Sequence, residues 1–140
     1  MLYVLDCSVA VKWFVPEELS DVALRLLGRL DTGELSFRAP ENVFAEFGHA
    51  LRKAVVRGQI EADRSHAIIE DFVALPIETV PMRPLATEAM RLTTRHMSTF
   101  YDALYVALAL RDDLIVITAD EPMTNAFGSL SRTAHLSTFA

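Results

Sequence analysis

The sequence predicts an α/β fold, a three-layer domain in which helices flank a central, mostly parallel sheet of four to five strands. Short apolar runs alternate along the chain with longer stretches of helical periodicity. Such alternation implies crossover connections between parallel strands. The chain has 140 residues, of which 51% are hydrophobic. We therefore expect a single domain over residues 1–140 with a sizeable core.

Charge and cysteine content narrow the class of protein. A formal net charge of −6 argues against a generally basic surface that coats nucleic acid. It does not exclude a nuclease with acids around metal ions. The single cysteine, Cys7, cannot form an internal disulfide and fits a reducing compartment. No basic segment precedes the apolar N-terminus, and no apolar run approaches the roughly 18 residues of a membrane span. We expect a cytoplasmic protein without membrane association.

The first half of the chain contains two predicted strands and three predicted helices. The strands are residues 2–5 and 35–39, and the helices are residues 8–15, 17–30 and 41–57. Pro16 and a turn at Gly33 end the first two helices, and Pro40 opens the third. The third helix is the clearest, because its apolar residues form one stripe that ends at Gly58.

The second half contains three predicted strands and four predicted helices. The strands are residues 77–80, 114–117 and 133–136, the last at an edge of the sheet, and the helices are residues 61–75, 84–95, 100–110 and 122–130. The helix at 100–110 is apolar on almost every face, which predicts burial on all sides. The branched apolar run at 114–117 is typical of a buried parallel strand.

Four acidic residues stand where a parallel fold could gather them. Asp6 and Asp120 follow predicted strands, Asp102 lies in the first turn of the apolar helix, and Glu46 borders the stripe of helix 41–57. Ligands of open parallel sheets bind beyond the carboxyl ends of the strands. Four carboxylates meeting there would raise one another's pKa. A divalent cation relieves that repulsion, and sites built only from oxygen ligands suit Mg²⁺ or Mn²⁺.

Each acid also has a purely structural interpretation. Asp6 and Asp120 could cap the helices that follow them. Thr99 and Asp102 fit a capping box. Glu46 could extend from the rim of its helix into water. The prediction of a shared site depends on the combination of the four acids, because no single one requires it.

The segments around these acids resemble the four acidic motifs of PIN domains. They are Val4–Val9, Phe44–Phe47, Tyr101–Ala109 and Ile117–Asp120. The size of the chain and the order of the motifs resemble the toxin ribonucleases of VapBC toxin–antitoxin systems, over essentially the whole chain. The resemblance implies a Mg²⁺- or Mn²⁺-dependent endoribonuclease that hydrolyses phosphodiester bonds in tRNA, rRNA or mRNA.

The same resemblance implies roles for residues and partners. The catalytic, metal-binding acids are Asp6, Glu46, Asp102 and Asp120. Ser8 and Thr118 correspond to hydroxyls that hydrogen-bond to the site. The implied partners are an RNA substrate, a second copy of the chain in a homodimer and a VapB-like antitoxin. The antitoxin's C-terminal segment would lie in an apolar groove of the N-terminal helices, and DNA would be contacted only through the antitoxin.

Basic residues close to the acids are candidates for binding RNA. Arg52, Lys53 and Arg57, with His49, follow Glu46 on its helix. A second group, Arg91, Arg95 and His96, precedes Asp102. Their nearness to the acids favours a role with phosphates, and a solvated helix face is the alternative for either group. For Trp13, Phe14 and Val15 we expect packing in the core.

Two other functions compete with the nuclease, namely a non-catalytic acidic module and another α/β enzyme with an acid at the end of its first strand, such as an aspartyl-phosphate phosphatase or a receiver domain. A non-catalytic acidic module would bind only a metal or a partner peptide, and replacing Asp102 by Asn would then leave toxicity unchanged. An aspartyl-phosphate phosphatase needs a second aspartate two positions after the first, where this chain has Ser8. A receiver domain needs a lysine late in the chain, and none follows Lys53. The sequence therefore disfavours both the phosphatase and the receiver domain.

Overall fold

Five parallel strands form the central sheet of the computed structural model, which describes residues 1–140 without a break. The strands are β1 (Leu2–Leu5), β2 (Ser36–Pro40), β3 (Ile77–Val80), β4 (Val116–Thr118) and β5 (Thr133–His135). Their order across the sheet is β3-β2-β1-β4-β5. Every neighbouring pair is parallel. The predicted α/β fold is therefore confirmed.

Seven α-helices flank the sheet. They are α1 (Cys7–Val11), α2 (Ser20–Asp31), α3 (Val43–Val56), α4 (Ala62–Ala74), α5 (Ala86–His96), α6 (Phe100–Asp112) and α7 (Glu121–Ala126). Short 3₁₀ segments lie at Arg83–Leu85, Gly128–Leu130 and Leu136–Phe139. None of the helices combines the length and apolar character required to cross a bilayer.

Helix α6 is the most deeply buried element, as its composition predicts. All seven residues from Ala103 to Ala109 are buried, and the helix contacts β1, β2 and β4. Thr99 caps its first turn by accepting the backbone N–H of Asp102. Because α6 leads into a parallel strand, it runs antiparallel to the sheet. Its first turn therefore lies at the carboxyl edge, beside the residues that follow β1 and β4.

The first two predicted helices are shorter than their periodicity suggests. The predicted helix 8–15 is α1, Cys7–Val11, followed by a tighter turn. In that turn the backbone N–H groups of Trp13 and Phe14 donate to carbonyls only three residues back. The predicted helix 17–30 begins only at Ser20, because Leu19 has a left-handed φ of 65°. Apolar spacing alone does not register such backbone reversals.

Other boundaries also differ from their predictions. Pro40 does not open a helix but ends β2, and the predicted helix 84–95 starts as a 3₁₀ turn before α5. The predicted helix 122–130 divides into α7 and a 3₁₀ segment. Strand β4 is displaced toward Thr118 because its pairing with β1 matches Val4 with Val116. The residues at which a strand begins and ends are set by hydrogen bonding to its partner strand. A run of apolar residues indicates only that the segment is buried. The edge strand β5 lies where it was predicted.

The aromatic segment after α1 packs inward. Trp13 is 7% exposed, and its indole N–H donates to the carbonyl of Ala23 at 2.8 Å. Phe14 packs edge-on against Phe47, and Val15 is 2% exposed. The prediction that this segment belongs to the core is confirmed.

Candidate active site

A cavity of about 560 Å³ lies beyond the carboxyl ends of β1 and β4. Helix α3 forms one wall and the first turn of α6 forms another. The lining residues are Asp6, Cys7, Ser8, Ala45, Glu46, His49, Ala50, Lys53, Tyr101, Asp102 and Asp120. All four predicted acids are among them. The fold thus brings together residues that are separated by up to 114 positions, between Asp6 and Asp120. We refer to this space as the acid cavity.

Asp6 is held by two hydroxyl groups. It is only 4% exposed, and its Oδ2 accepts hydrogen bonds from Ser8 Oγ and from Thr118 Oγ1, the latter at 2.8 Å. Its side chain makes no capping bond to α1. The capping interpretation of Asp6 is therefore wrong. Both hydroxyl protons go to one oxygen, and Oδ1 is used by neither.

The same hydroxyls tie the end of β1 to the end of β4. Ser8 Oγ accepts the backbone N–H of Ala119 at 2.8 Å, and Thr118 Oγ1 accepts that of Asp120 at 3.0 Å. Each hydroxyl has one proton, which it gives to Asp6, so its lone pairs are free for these amides. This arrangement fixes the turn that presents Asp120 to the cavity.

Glu46 is held by two donors that the sequence argument did not identify. Its Oε2 accepts hydrogen bonds from the hydroxyl of Tyr105 and from Asn42 Nδ2, the latter at 2.8 Å. Tyr105 is fully buried and Asn42 is 5% exposed. A detectable signal existed for Tyr105, since it is a polar group on the buried part of α6, one turn beyond Asp102. Glu46 is therefore anchored and does not merely extend into water.

Asp102 and Asp120 reach the cavity from helix starts. The Thr99 half of the predicted capping box is present, since Thr99 Oγ1 accepts the Asp102 N–H at 3.1 Å. The carboxylate of Asp102 nevertheless lines the cavity. Asp120 precedes α7, but its side chain makes no capping bond there. Its interpretation as a helix cap is wrong.

Burial and mutual repulsion raise the pKa values of three of these acids. The pKa of Asp102 rises to about 7, first because burial disfavours the charged form and then because Asp6, Asp120 and Glu46 are close. Burial is also the main cause for Asp6 and Glu46, whose pKa values are raised although hydrogen bonds from hydroxyl groups oppose the shift. Burial and the neighbouring acids thus disfavour the ionised forms of Asp6, Glu46 and Asp102.

The donor set fits a hard divalent cation in chemistry but is not yet arranged around a single point. All four acids offer oxygen ligands, which Mg²⁺ and Mn²⁺ prefer. In the structure no three His, Cys, Asp or Glu side chains form a group that could hold a metal ion as they stand. A cation bound by these carboxylates would offset their mutual repulsion. The buried Cys7 thiol beside them has a raised pKa, which makes it a poor ligand.

The structure separates the basic residues proposed for RNA binding. His49 and Lys53 line the acid cavity, one and two turns beyond Glu46 on α3. Arg52 instead lines a groove between α3 and α4. Arg57 and Arg95 are exposed and line neither space. Of the four candidates, only Lys53 lies beside the acids.

Comparisons with known proteins agree with this geometry. Residues 3–126 match the family model described as PIN domain. Ribonuclease VapC1 of Mycobacterium tuberculosis is 34% identical over 125 residues, which cover 89% of this chain and 90% of that protein. Ribonuclease VapC12 of the same species is 31% identical over 128 residues, covering 91% and 93% of the two chains.

Solved structures share the fold. The structure of PAE2754 from Pyrobaculum aerophilum superposes with a TM-score of 0.74 at 19% identity, covering 99% of this chain and 85% of that one. A chain of VapBC2 from Rickettsia felis, bound to a DNA fragment from their promoter, gives 0.68 at 15% identity, with 96% and 98% coverage. The family model and the relatives above 30% identity both span most of the sequence. The chain therefore belongs to the PIN-domain family and is similar to ribonucleases of the VapC type.

Proposed function

We propose that this protein is a metal-dependent endoribonuclease and the toxin of a type II toxin–antitoxin pair. The observation that carries the proposal is the convergence of four carboxylates in one cavity, where burial and repulsion raise the pKa values of three. Such a site is costly unless a cation occupies it. The two relatives named as ribonucleases support RNA as the substrate.

The chain's own residues prepare two of the acids for a cation. The hydroxyls of Ser8 and Thr118 both donate to Oδ2 of Asp6, and neither of them donates to Oδ1. Tyr105 and Asn42 likewise occupy Oε2 of Glu46 and leave Oε1. Asp6, Glu46, Asp102 and Asp120 would hold Mg²⁺ or Mn²⁺. When bound, the ion would supply activation of water and neutralisation of phosphate charge.

The proposed reaction is hydrolysis by water. Water adds its oxygen to the phosphorus, the bond from phosphorus to the 3′ oxygen breaks, and that oxygen takes a proton. The fragments carry a 5′-phosphate and a 3′-hydroxyl. Ser8 is not the nucleophile, because its only hydroxyl proton is donated to Asp6 and its oxygen accepts the Ala119 N–H. No histidine contacts Ser8, and the carboxylate that accepts its proton is one of the four acids that would hold the ion.

The proposed partners are supported by two structures of similar fold and by the net charge of this chain. The VapBC2 structure and a toxin–antitoxin complex from Klebsiella pneumoniae, with a TM-score of 0.64 at 14% identity, contain chains of this fold. We propose a VapB-like antitoxin for this chain, with DNA contacted through the antitoxin, and a homodimer of the chain itself. The net charge of −6 favours a basic antitoxin segment.

The experiment compares two aspartates of the same helix. The full chain, free of antitoxin, is incubated with total cellular RNA in Mg²⁺, in Mn²⁺ and in EDTA. Asp102→Asn removes a cavity acid, and Asp112→Asn changes an aspartate at the other end of α6, paired with Arg38 at 3.0 Å. We expect discrete fragments with 5′-phosphate ends from the wild type and from Asp112→Asn, and none with EDTA or from Asp102→Asn.

Two other outcomes would contradict the proposal. Fragments that survive EDTA or the Asp102→Asn change would indicate another mechanism. Absence of cleavage by folded wild-type protein that binds the metal would favour the non-catalytic acidic module. The identity of the cleaved band among tRNA, rRNA and mRNA would define the target.

A further inference from the structure

The proposed hydrolysis requires a proton donor that the four acids do not supply. When the bond from phosphorus to the 3′ oxygen breaks, that oxygen keeps the bonding electron pair and gains a proton to leave as a hydroxyl group. Carboxylates that hold a cation are ionised and have no proton to give. Ser8 Oγ donates its proton to Asp6, and the buried Cys7 thiol has a raised pKa. A donor within the chain is therefore one of the other side chains that line the acid cavity.

His49 is a titratable side chain of this cavity that the fold leaves without a partner. It follows Glu46 by three residues, so the two side chains are neighbours on one face of α3, and both line the acid cavity. The histidine hydrogen bonds of this protein are made by His96 and His135, and no ion pair includes His49. Since His49 is also exposed, its imidazole is free to turn toward a bound phosphodiester.

We propose that His49 is the general acid of the reaction, the group that protonates the departing 3′ oxygen. The protonated imidazole gives the proton of one ring nitrogen to that oxygen while the bond from phosphorus breaks, and the ring becomes neutral. Solvent restores the proton before the next turnover. Imidazole is the side chain best suited to such an exchange near neutral pH. This inference rests on the proposed function and adds a catalytic residue to it.

Lys53 and Tyr101 are the competing donors, since both also line the acid cavity. Ammonium groups of lysine and hydroxyl groups of tyrosine release their protons at higher pH than imidazolium does. Each is therefore the weaker acid near neutral pH. The greater acidity of imidazolium favours His49 over both of them.

The test replaces the 3′ oxygen of the cleaved bond by sulfur. A thiol releases its proton far more readily than an alcohol does, so a 3′ sulfur leaves as a thiolate without help from a general acid. Two synthetic RNAs carry the bond that the cleavage experiment identifies, one with oxygen and one with sulfur at this position, and both are assayed in Mn²⁺. We expect His49→Ala to lower kcat about 100-fold or more on the oxygen RNA. On the sulfur RNA it should stay within about threefold of the wild type.

Two further variants separate the proton from other properties of the side chain. His49→Gln keeps a polar side chain but has no proton to release at this pH, and should match His49→Ala on both RNAs. His66→Ala changes an exposed histidine in the groove between α3 and α4, and should cleave both RNAs like the wild type.

Binding of RNA provides a readout that does not depend on cleavage. In a protein that already carries Asp102→Asn, the addition of His49→Ala should change the Kd for the oxygen RNA by less than about threefold. The reason is that a general acid acts in the transition state and contributes little to binding of the ground state.

Three results would overturn the inference and leave the proposed function intact. They are an unchanged kcat of His49→Ala on the oxygen RNA, an equal loss on both RNAs, and a weakened Kd that accounts for the loss. Recovery of Lys53→Ala or Tyr101→Phe on the sulfur RNA, without recovery of His49→Ala, would assign the proton to that other residue. Absence of cleavage by folded wild-type protein is a separate result, because it overturns the proposed function and the role of His49 together.

Discussion

The two ends of α6 hold two charge clusters of opposite design. At its start, Asp102 faces Asp6, Glu46 and Asp120, and its pKa rises to about 7. At its end, about 15 Å away for ten residues of helix, Asp112 accepts from Arg38 at 3.0 Å and from Arg111 at 2.8 Å. The pKa of Asp112 is lowered, with the hydrogen bond from Arg111 as the main cause.

The difference shows which carboxylates the fold satisfies by itself. Arg38 also binds Glu78 on the neighbouring strand at 2.9 Å, so the second cluster contains its own counter-ions. Lys53 lines the acid cavity without forming an ion pair there, and Asp6 and Glu46 accept hydrogen bonds only from neutral side chains, three hydroxyls and one amide. Neutral donors orient a carboxylate but do not cancel its charge. The cavity is therefore the cluster that requires a partner from outside the chain.

The largest expected effect is the gain in the free energy of unfolding when a divalent cation binds, which should depend on the acid cavity and not on the cluster around Asp112. Mg²⁺ or Mn²⁺ at 100 times its Kd should raise the free energy of unfolding by about 2.7 kcal/mol if it binds only the folded chain. Urea unfolding with and without the ion measures this gain. Asp102→Asn should lose most of it and Asp112→Asn should keep it. Equal gains in both variants would mean that the ion binds elsewhere.

The next effect is a pair of stability changes with opposite signs. The folded protein binds the Asp102 proton more tightly than the unfolded chain does. Raising the pH from the ordinary value of 3.8 through about 7 therefore removes stability. Asp102 is half-buried, so water screens part of this cost, and Asp102→Asn should stabilise the metal-free protein at pH 8 by about 1–2 kcal/mol. The gain should shrink as the pH falls toward 4.

Asp112 should behave in the reverse sense. Its lowered pKa contributes stability above the ordinary value of 3.8, and that stability is lost as the pH falls through the folded-state pKa. Asp112→Asn should therefore destabilise the protein at pH 8 by about 1 kcal/mol or less. Urea unfolding in EDTA across this pH range measures both variants. Changes of the same sign in the two would contradict the assignment of repulsion to one end and pairing to the other.

A smaller effect concerns the neutral donors. Tyr105→Phe removes the hydroxyl that holds Glu46, and should lower the free energy of unfolding by about 1 kcal/mol. We expect kcat for RNA cleavage to fall about tenfold, as for loss of a group that orients a ligand, with KM little changed. Tyr3→Phe, at a tyrosine whose hydroxyl contacts only Met1, is the control. Unchanged kcat in Tyr105→Phe would make this contact purely structural.

The smallest effect belongs to the outer member of the paired cluster. Glu78 is 61% exposed, and Arg38 keeps Asp112 when Glu78 is removed. Glu78→Gln should change the free energy of unfolding by no more than about 0.5 kcal/mol and leave RNA cleavage unchanged. A loss of cleavage would couple this cluster to the cavity and weaken the contrast between the two ends of α6.

The parallel sheet and the buried α6 could be predicted because they depend on local patterns of apolar residues. The boundaries of helices and strands were harder to predict from the sequence. The left-handed backbone of Leu19 delays the start of α2, and strand pairing extends β2 to Pro40. The convergence of the acids could be inferred from strand ends and from one helix start. The hydrogen bonds from Tyr105 and Asn42 to Glu46 could not be predicted from the sequence. The bond from Tyr105 depends on how α3 and α6 are placed against each other.

For this protein, the sequence by itself determined which acidic and basic side chains are present and which face of each helix or strand is apolar. Apolar periodicity follows from local backbone geometry, and so the order of strands and helices can be read from it. Only the tertiary structure decided which of two adjacent cations, Arg52 or Lys53, shares a cavity with the acids. Neighbouring residues on a helix point about 100° apart, and the packing of α3 selects between them. The placement of α6 against the sheet likewise sets Asp102 among other acids and Asp112 beside Arg38 of β2.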